Sequence, residues 1–347
     1  MVSQIKAQVP PSLNGERFDV AAAALCSEFS RKKIKLIIDR GGAYLNKKRI
    51  LVAKKQVSEG DIIELFWEES RPLSGNSVKT IAVSILAEEA DFIVINKPAG
   101  LPSQATLTSS EDTVIHALQV QYPEKFANSQ LLLVHRLDKE TSGVMLLAKS
   151  KAAQARFEKL FIERKMKKVY QALCFGVPRE RQGVLRWPIR KDPSRPNTYV
   201  AVLNSGAPSA GGRGSSPGRK MPEIKSATTL YVVLKTFPQA RVSWIECQPE
   251  TGRTHQIRVH LQALGVPLLG DKTYAANVIG HPMAQLATRH MLHAVRLAWT
   301  QDDGSTFAFE APFPHDFGAC LNRLQEEGAS HELQTHHGPN SGPKNLG

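Results

Sequence analysis

The chain has 347 residues, 41% of them hydrophobic, enough for one large domain with a substantial core and a smaller appended one. Lys and Arg number 45 against 32 Asp and Glu, a formal net charge of +13. Such a balance points to a polyanionic partner, because cations that neutralise phosphates gain affinity by releasing counterions. No apolar run approaches the roughly 18 residues of a spanning helix, and the N-terminus lacks the apolar stretch of a secretory signal. No membrane partner and a cytoplasmic location are therefore expected.

Cys26, Cys174, Cys247 and Cys320 stand singly, without C-x-x-C spacing, and read as reduced core thiols. Neither H-E-x-x-H nor the H-x-E with P-C-x-x-C of a zinc deaminase occurs, and no phosphate-binding or dinucleotide-binding glycine motif is present. The expectation is no metal and no cofactor.

Residues 1–14, with Pro10-Pro11, read as a flexible leader. Phe18, Val20 and Ala21 to Leu25 then suggest a helix. Ser30 reads as the N-cap of a second helix, whose Ile34, Ile37 and Ile38 form a buried stripe ending at Gly41-Gly42. Strand signals follow in Tyr44-Leu45 and Ile62 to Phe66. Arg31, Lys32, Lys33, Lys35, Arg40, Lys47, Lys48, Arg49, Lys54 and Lys55 crowd this region against one acid, Asp39. That one-sidedness favours a phosphate-binding face over a merely solvated one. Residues 71–79 read as a linker.

Beyond it come strand signals at Ile81 to Leu86 and Phe92 to Asn96, and a helix capped by Asp112 and broken at Pro123. His135-Arg136-Leu137-Asp138-Lys139-Glu140-Thr141-Ser142-Gly143 then leads into the apolar run Val144 to Ala148. Its pattern is a carboxylate flanked by cations in a loop before a buried strand. The neighbouring cations favour the ionised form, although such an arrangement is by itself more often a surface ion pair. An amphipathic helix over Lys151–Lys165 and a strand from Val169 to Phe175 follow.

Residues 202–223 are rich in Ser, Gly and Pro and read as a mobile loop. Gly214 to Gly218 literally match G-x-S-x-G, but no strand precedes and no helix follows, so a serine hydrolase has little support. Strands resume at Ala227 to Leu234 and Arg241 to Cys247. Thr254 is placed to cap a helix carrying Ile257, Leu261 and Leu264 up to Gly265. A short helix over Ala319–Glu327 closes the domain, and residues 329–347 read as a disordered tail.

The signature around Asp138 resembles that of the RluA-type pseudouridine synthases. Several further blocks stand in the order that family has them: Asn96-Lys97-Pro98-Ala99-Gly100-Leu101, Lys168-Val169-Tyr170-Gln171-Ala172, Glu250 to His260, Gly270-Asp271-Lys272-Thr273-Tyr274 and Met291-Leu292-His293-Ala294. Residues 15–70 resemble the S4 RNA-binding domain, through Ser30-Arg31-Lys32-Lys33 and Gly41 to Lys48. The resemblance implies an α+β fold: a catalytic domain over 80–328 with a mixed, largely antiparallel sheet, flanking helices and a central cleft, preceded by a small S4 (αL-type) domain.

The resemblance also implies the site. Asp138 is expected as the nucleophile, Tyr170 against the target uracil, and Arg253 as the cation paired with Asp138. Arg136, Ile257 and Arg258 are expected to bind substrate, and Arg31, Lys32, Lys35, Lys47 and Lys48 to bind RNA. Isomerising a uridine needs no cofactor, and the nucleotide must be flipped from its stack to be reached. The expected partner is RNA, ribosomal first and transfer RNA second, acted on by a monomer. Two rival readings are a non-catalytic RNA-binding or ribosome-assembly factor and a DNA-binding protein. Intact Asp138, Tyr170 and Arg253 count against the first, and the missing dimeric helix-turn-helix layout against the second.

Overall fold

The computed structural model describes residues 2–68, 81–105, 107–108, 113–127, 129–203, 223–275, 287–301 and 303–335. Asp112, the 71–79 linker, nearly all of the 202–223 loop and residues 336–347 lie outside the described residues. The chain divides into two compact units, residues 1–83 with 101–139, and residues 84–100 with 140–347.

In the first unit, strand β1 (Val2–Gln8), helices α1 (Phe18–Leu25) and α2 (Arg31–Asp39), and strands β2 (Ala43–Leu45), β3 (Lys48–Ile50) and β4 (Ile62–Glu68) form a sheet of order β1-β4-β2-β3 with two helices against it. Phe18, Ile34, Ile37, Ile38, Leu45, Ile63 and Leu65 make its core. The stripe on α2 is buried as its spacing predicts, and the Ser30 hydroxyl caps it by accepting from Lys33 N. Gly41 lies at φ +82, and a Cβ on Gly42 would stand 2.2 Å from the Phe66 carbonyl oxygen, so the helix leaves its last turn through glycines.

The leader is a correction to the sequence reading. Residues 2–8 are a regular edge strand pairing antiparallel with β4, from Val2 opposite Glu68 to Gln8 opposite Ile62. The same unit holds α3 (Val114–Gln121), capped by Thr113, then α4 (Pro123–Phe126) and the two-residue strand β7 (Leu132–Leu133).

The second unit is built on β5 (Ser84–Glu88), β6 (Phe92–Lys97), β8 (Ser142–Ala148), β9 (Lys167–Phe175), β10 (Gln182–Leu185), β14 (Thr229–Phe237), β15 (Val242–Pro249) and β16 (Leu292–Thr300). They lie side by side in the order β10-β14-β15-β9-β16-β8-β6-β5, with β17 (Thr306–Glu310) also paired to β16. All contacts along this order are antiparallel except β16 with β8, which is parallel. The fold is thus α+β with a mixed, largely antiparallel sheet. A small sheet of β11 (Ile189–Lys191), β12 (Tyr199–Ala201) and β13 (Ile224–Lys225) accompanies it, with α5 (Lys151–Ile162), α6 (Gln256–Ala263) and α7 (His315–Thr335). The closing helix therefore runs past Glu327 into the stretch expected to be disordered.

The parallel contact depends on Gly143. It sits at φ +118, and a Cβ there would stand 2.2 Å from the Ala294 carbonyl oxygen, so no other residue lets β8 approach β16 this closely. No helix among the described residues is long and apolar enough to cross a membrane.

Candidate active site

Arg136 and Asp138 fall on the last residues of the first unit, whereas Tyr170, Arg253, Ile257 and Arg258 share the second. Arg136 is exposed and Asp138 partly buried, on an irregular stretch four residues before β8 begins. The peptide just ahead of Asp138 is held by one side chain. Buried Ser103 donates from Oγ to the Leu137 carbonyl at 2.7 Å and accepts from Leu137 N at 3.0 Å. A reciprocal pair of this kind fixes both polar groups of one residue.

The residues after Asp138 are anchored within the second unit. Lys97 is fully buried, and its Nζ donates to the Thr141 carbonyl at 2.7 Å and the Pro98 carbonyl at 2.9 Å. Thr141 Oγ1 bonds His290 Nε2 at 2.8 Å, and Arg289 Nη1 donates to the Glu140 carbonyl at 2.8 Å. Ser142 Oγ accepts from Arg289 Nη2 and faces His293 Nδ1 at 2.9 Å. Because His293 Nε2 stands 3.2 Å from the Ala311 carbonyl, which can only accept, the proton sits on Nε2 and Ser142 donates to Nδ1. Burial pushes His293 down to about 4, so the ring is neutral at physiological pH.

Tyr170 is buried on β9, opposite Cys247 of β15 on one side and Ala294 of β16 on the other. Three residues past Cys247, the chain enters the turn Glu250-Thr251-Gly252-Arg253. Lys168, two residues before Tyr170, joins the two features, since its Nζ donates to the Thr251 carbonyl at 3.1 Å. Burial pushes Lys168 down to about 8. Named in sequence as the first residue of the block that carries Tyr170, Lys168 is a tie between the Tyr170 strand and the Arg253 turn.

Arg253 itself is exposed, and its Nε donates to the Ser226 carbonyl at 3.0 Å. The helix after it is not capped by Thr254. The cap position is His255, in the left-handed region at φ 57, with its Nδ1 2.8 Å from the Tyr274 hydroxyl. That hydroxyl also accepts from Tyr199 N.

Helix α6 is buried through Gln256, Ile257, Arg258, Val259, His260 and Leu261, so it lies inside the unit and not on its surface. Ile257 is buried there. Arg258, expected at the substrate, is held here in a buried ion pair: Nε donates to Asp271 Oδ2 at 2.7 Å and Nη2 to Oδ1 at 2.9 Å, with the guanidinium over the Tyr274 ring. Burial alone would raise the Asp271 pKa, but the Arg258 hydrogen bonds and charge outweigh it and hold the carboxyl below its ordinary range. Asp271 also accepts from Thr273 N and Tyr274 N. Both members of this pair stand in motifs visible in the sequence, but their contact does not follow from either motif alone.

Among the described residues no three His, Cys, Asp or Glu side chains gather as a metal site. The RNA-binding expectations fall on the first unit, where Arg31, Lys32, Lys35, Lys47 and Lys48 are all exposed. Arg31 Nη2 reaches Asp19 at 2.8 Å and Lys35 reaches Asp39 at 2.7 Å.

Residues 91–263 match the profile of the RNA pseudouridylate synthase family. The ribosomal large subunit pseudouridine synthase D of Neisseria meningitidis is 33% identical over 333 residues, 94% of this chain and 83% of its own length. The chain belongs to the RNA pseudouridine synthase family. It is accordingly an isomerase acting on RNA, of the RluA type. The enzyme of the same name from Haemophilus influenzae is 31% identical over 340 residues, 94% of this chain and 97% of that one. Among solved structures, human RNA pseudouridylate synthase domain containing 1 superposes with a TM-score of 0.54 at 26% identity, over 74% of this synthase and 98% of the human chain.

Proposed function

We propose that this synthase converts specific uridines of large-subunit ribosomal RNA to pseudouridine, with Asp138 as the nucleophile on a flipped-out nucleotide. The supporting observation is the relative named for the ribosomal large subunit, which is 33% identical across 94% of this chain. The reaction breaks the bond from uracil N1 to ribose C1′, turns the base, and joins C5 to C1′. N1 gains a proton and C5 loses one, so nothing is oxidised or reduced.

In this reading Asp138 attacks ribose C1′ or uracil C6, and Arg253 pairs with it and aims it. Tyr170 lies against the uracil, Ile257 packs beneath it, and Arg136 fills the vacated stack or holds the flipped phosphate. Flipping costs a few kcal/mol, least in loops and bulges, where bases are already unstacked. Residues 15–70 act as an S4-type RNA-binding domain through Arg31, Lys32, Lys35, Lys47 and Lys48, and the enzyme works as a cytoplasmic monomer.

The test is pseudouridine mapping by carbodiimide-stopped reverse transcription in cells with the protein, without it, and with Asp138→Asn. Particular large-subunit sites are expected to vanish in the last two, while purified Asp138→Asn keeps RNA affinity within about tenfold, roughly 1.4 kcal/mol. Loss confined to transfer RNA would overturn the substrate, and retained turnover in Asp138→Asn would move the nucleophile elsewhere.

A further inference from the structure

Gln256 is the first residue of α6, 5% exposed, and its carboxamide uses its whole hydrogen-bonding capacity on one turn and one strand. Oε1 accepts from Thr251 Oγ1 at 2.7 Å and from Arg253 N at 3.0 Å. Nε2 donates to the Thr228 carbonyl at 2.9 Å and to Thr229 Oγ1 at 3.0 Å. The Arg253 N–H can only donate, so it fixes which end of the amide faces it.

The chain of protons continues beyond the amide. Thr229 Oγ1 faces His260 Nδ1 at 2.9 Å, and His260 Nε2 faces the Trp187 carbonyl at 2.9 Å. The carbonyl accepts only, so Nε2 carries the proton and the Thr229 hydroxyl donates to Nδ1. Burial lowers the His260 pKa and keeps the ring neutral. On the other side Thr251 Oγ1 accepts from Thr228 N at 3.1 Å, and the Thr251 carbonyl takes the Lys168 ammonium. The Arg253 backbone is thus attached, through one buried amide, to β14 and to the tied Tyr170 strand.

We infer that Gln256 is a positioning residue for the isomerisation: it sets where the Arg253 guanidinium stands and acts on the reaction only through Arg253. The inference rests on the role given to Arg253 above. A surface arginine on an unsupported turn samples many positions, whereas a site needs its cation placed to a fraction of an ångström. No other side chain of similar size offers two acceptor and two donor positions here. Glu would set a carboxylate against the Thr228 carbonyl, and Met would leave the Arg253 and Thr251 donors without their partner.

The test is a double-mutant cycle on the full chain with an RNA substrate, using Gln256→Met, Arg253→Ala and the pair, with kcat and KM measured separately. Gln256→Met is expected to lower kcat about 30-fold with KM within about threefold, and to cost no more than about threefold once Arg253 is already Ala. Losses that multiply in the double variant overturn the inference, since Gln256 would then act on the fold or through another group. Unchanged kcat in Gln256→Met also overturns it. Unchanged kcat in Arg253→Ala overturns the reading of Arg253, and the inference falls with it. If Gln256→Met does not fold, Thr251→Val removes one partner of the amide at nearly constant volume. There kcat should fall about fivefold and recover in Thr251→Ser; equal kcat in parent and Thr251→Val overturns the inference.

Discussion

The N-terminal sheet-and-helix region keeps the cations of α2 outside, and the large mixed-sheet region keeps several charges inside. In the first, Arg31 and Lys35 are about three-fifths exposed at 58% and 62%, Arg31 on the buried carboxylate of Asp19 and Lys35 on the carboxylate of Asp39. In the second, Arg258 and Asp271 are 8% and 0% exposed, and Lys97 is fully buried among carbonyls. Exposed pairs cost little to break and are screened by salt, whereas a buried charge deprived of its partner is costly. Charge therefore does two jobs here. Outside, it can attract a polyanion and let it go; inside, it fixes backbone that must not move.

The sharpest way to break that contrast is at Arg258. Arg258→Met leaves Asp271 buried without its fork and should cost about 3–5 kcal/mol, read as a lowered urea midpoint at constant slope. Adding Asp271→Leu should recover most of the loss, because a buried pair replaced by apolar groups of similar volume is often neutral. If Arg258→Met instead weakened RNA binding with stability intact, the role of Arg258 would lie at the substrate and not in the interior pair.

A smaller effect is expected from His293, which tests whether the interior anchors titrate. Its pKa is about 4 in the fold against an ordinary value of 6.5. A depressed histidine binds its proton more readily when unfolded, so its contribution is complete above pH 6.5 and is lost as pH falls toward 4. The full loss is about 3 kcal/mol, of which about 2 is gone by pH 5. Urea midpoints at pH 7 and pH 5 should show this in the parent and much less in His293→Gln, whose amide can still accept from Ser142 and donate to Ala311. Equal pH dependence in both would place the acid sensitivity elsewhere.

What the sequence disclosed follows the same division. The stripe of α2 and the buried run of β8 were legible because their cause is local: apolar spacing of a helix, and a short apolar run after a turn. Strand β1 was not, since its partner β4 begins some sixty residues away at Ile62 and an edge strand of mixed polarity carries little signal of its own. The motif around Asp138 stood out, but not its supports. Ser103 lies 34 positions from Leu137 and Lys97 lies 44 from Thr141, separations over which residue type says nothing about contact. Arg258 was visible as a cation, but its pairing with Asp271 was not, for the same reason: only the fold reveals that its helix is interior.

The smallest expected effect lies outside, on α2. Replacing Arg31, Lys32 and Lys35 together by Gln should cost about 1 kcal/mol, because the Lys35 pair is exposed and the buried Asp19, though it loses Arg31, keeps Arg17. The same change should weaken RNA binding about tenfold and flatten the dependence of log K on log salt by roughly 2 units. Three full phosphate contacts would remove slightly more, at about 0.7–0.9 each. Arg31 and Lys35 already share Asp19 and Asp39, so each offers less than a whole free charge. The rate of conversion of bound RNA should not change, because none of these exposed side chains is among the groups assigned to the chemistry, Asp138, Tyr170 and Arg253. A salt slope equal to that of the parent would take α2 out of the RNA interface and leave the positive charge of the chain to be accounted for elsewhere. A slower rate on bound RNA would mean that the outer cations also help to place the target uridine.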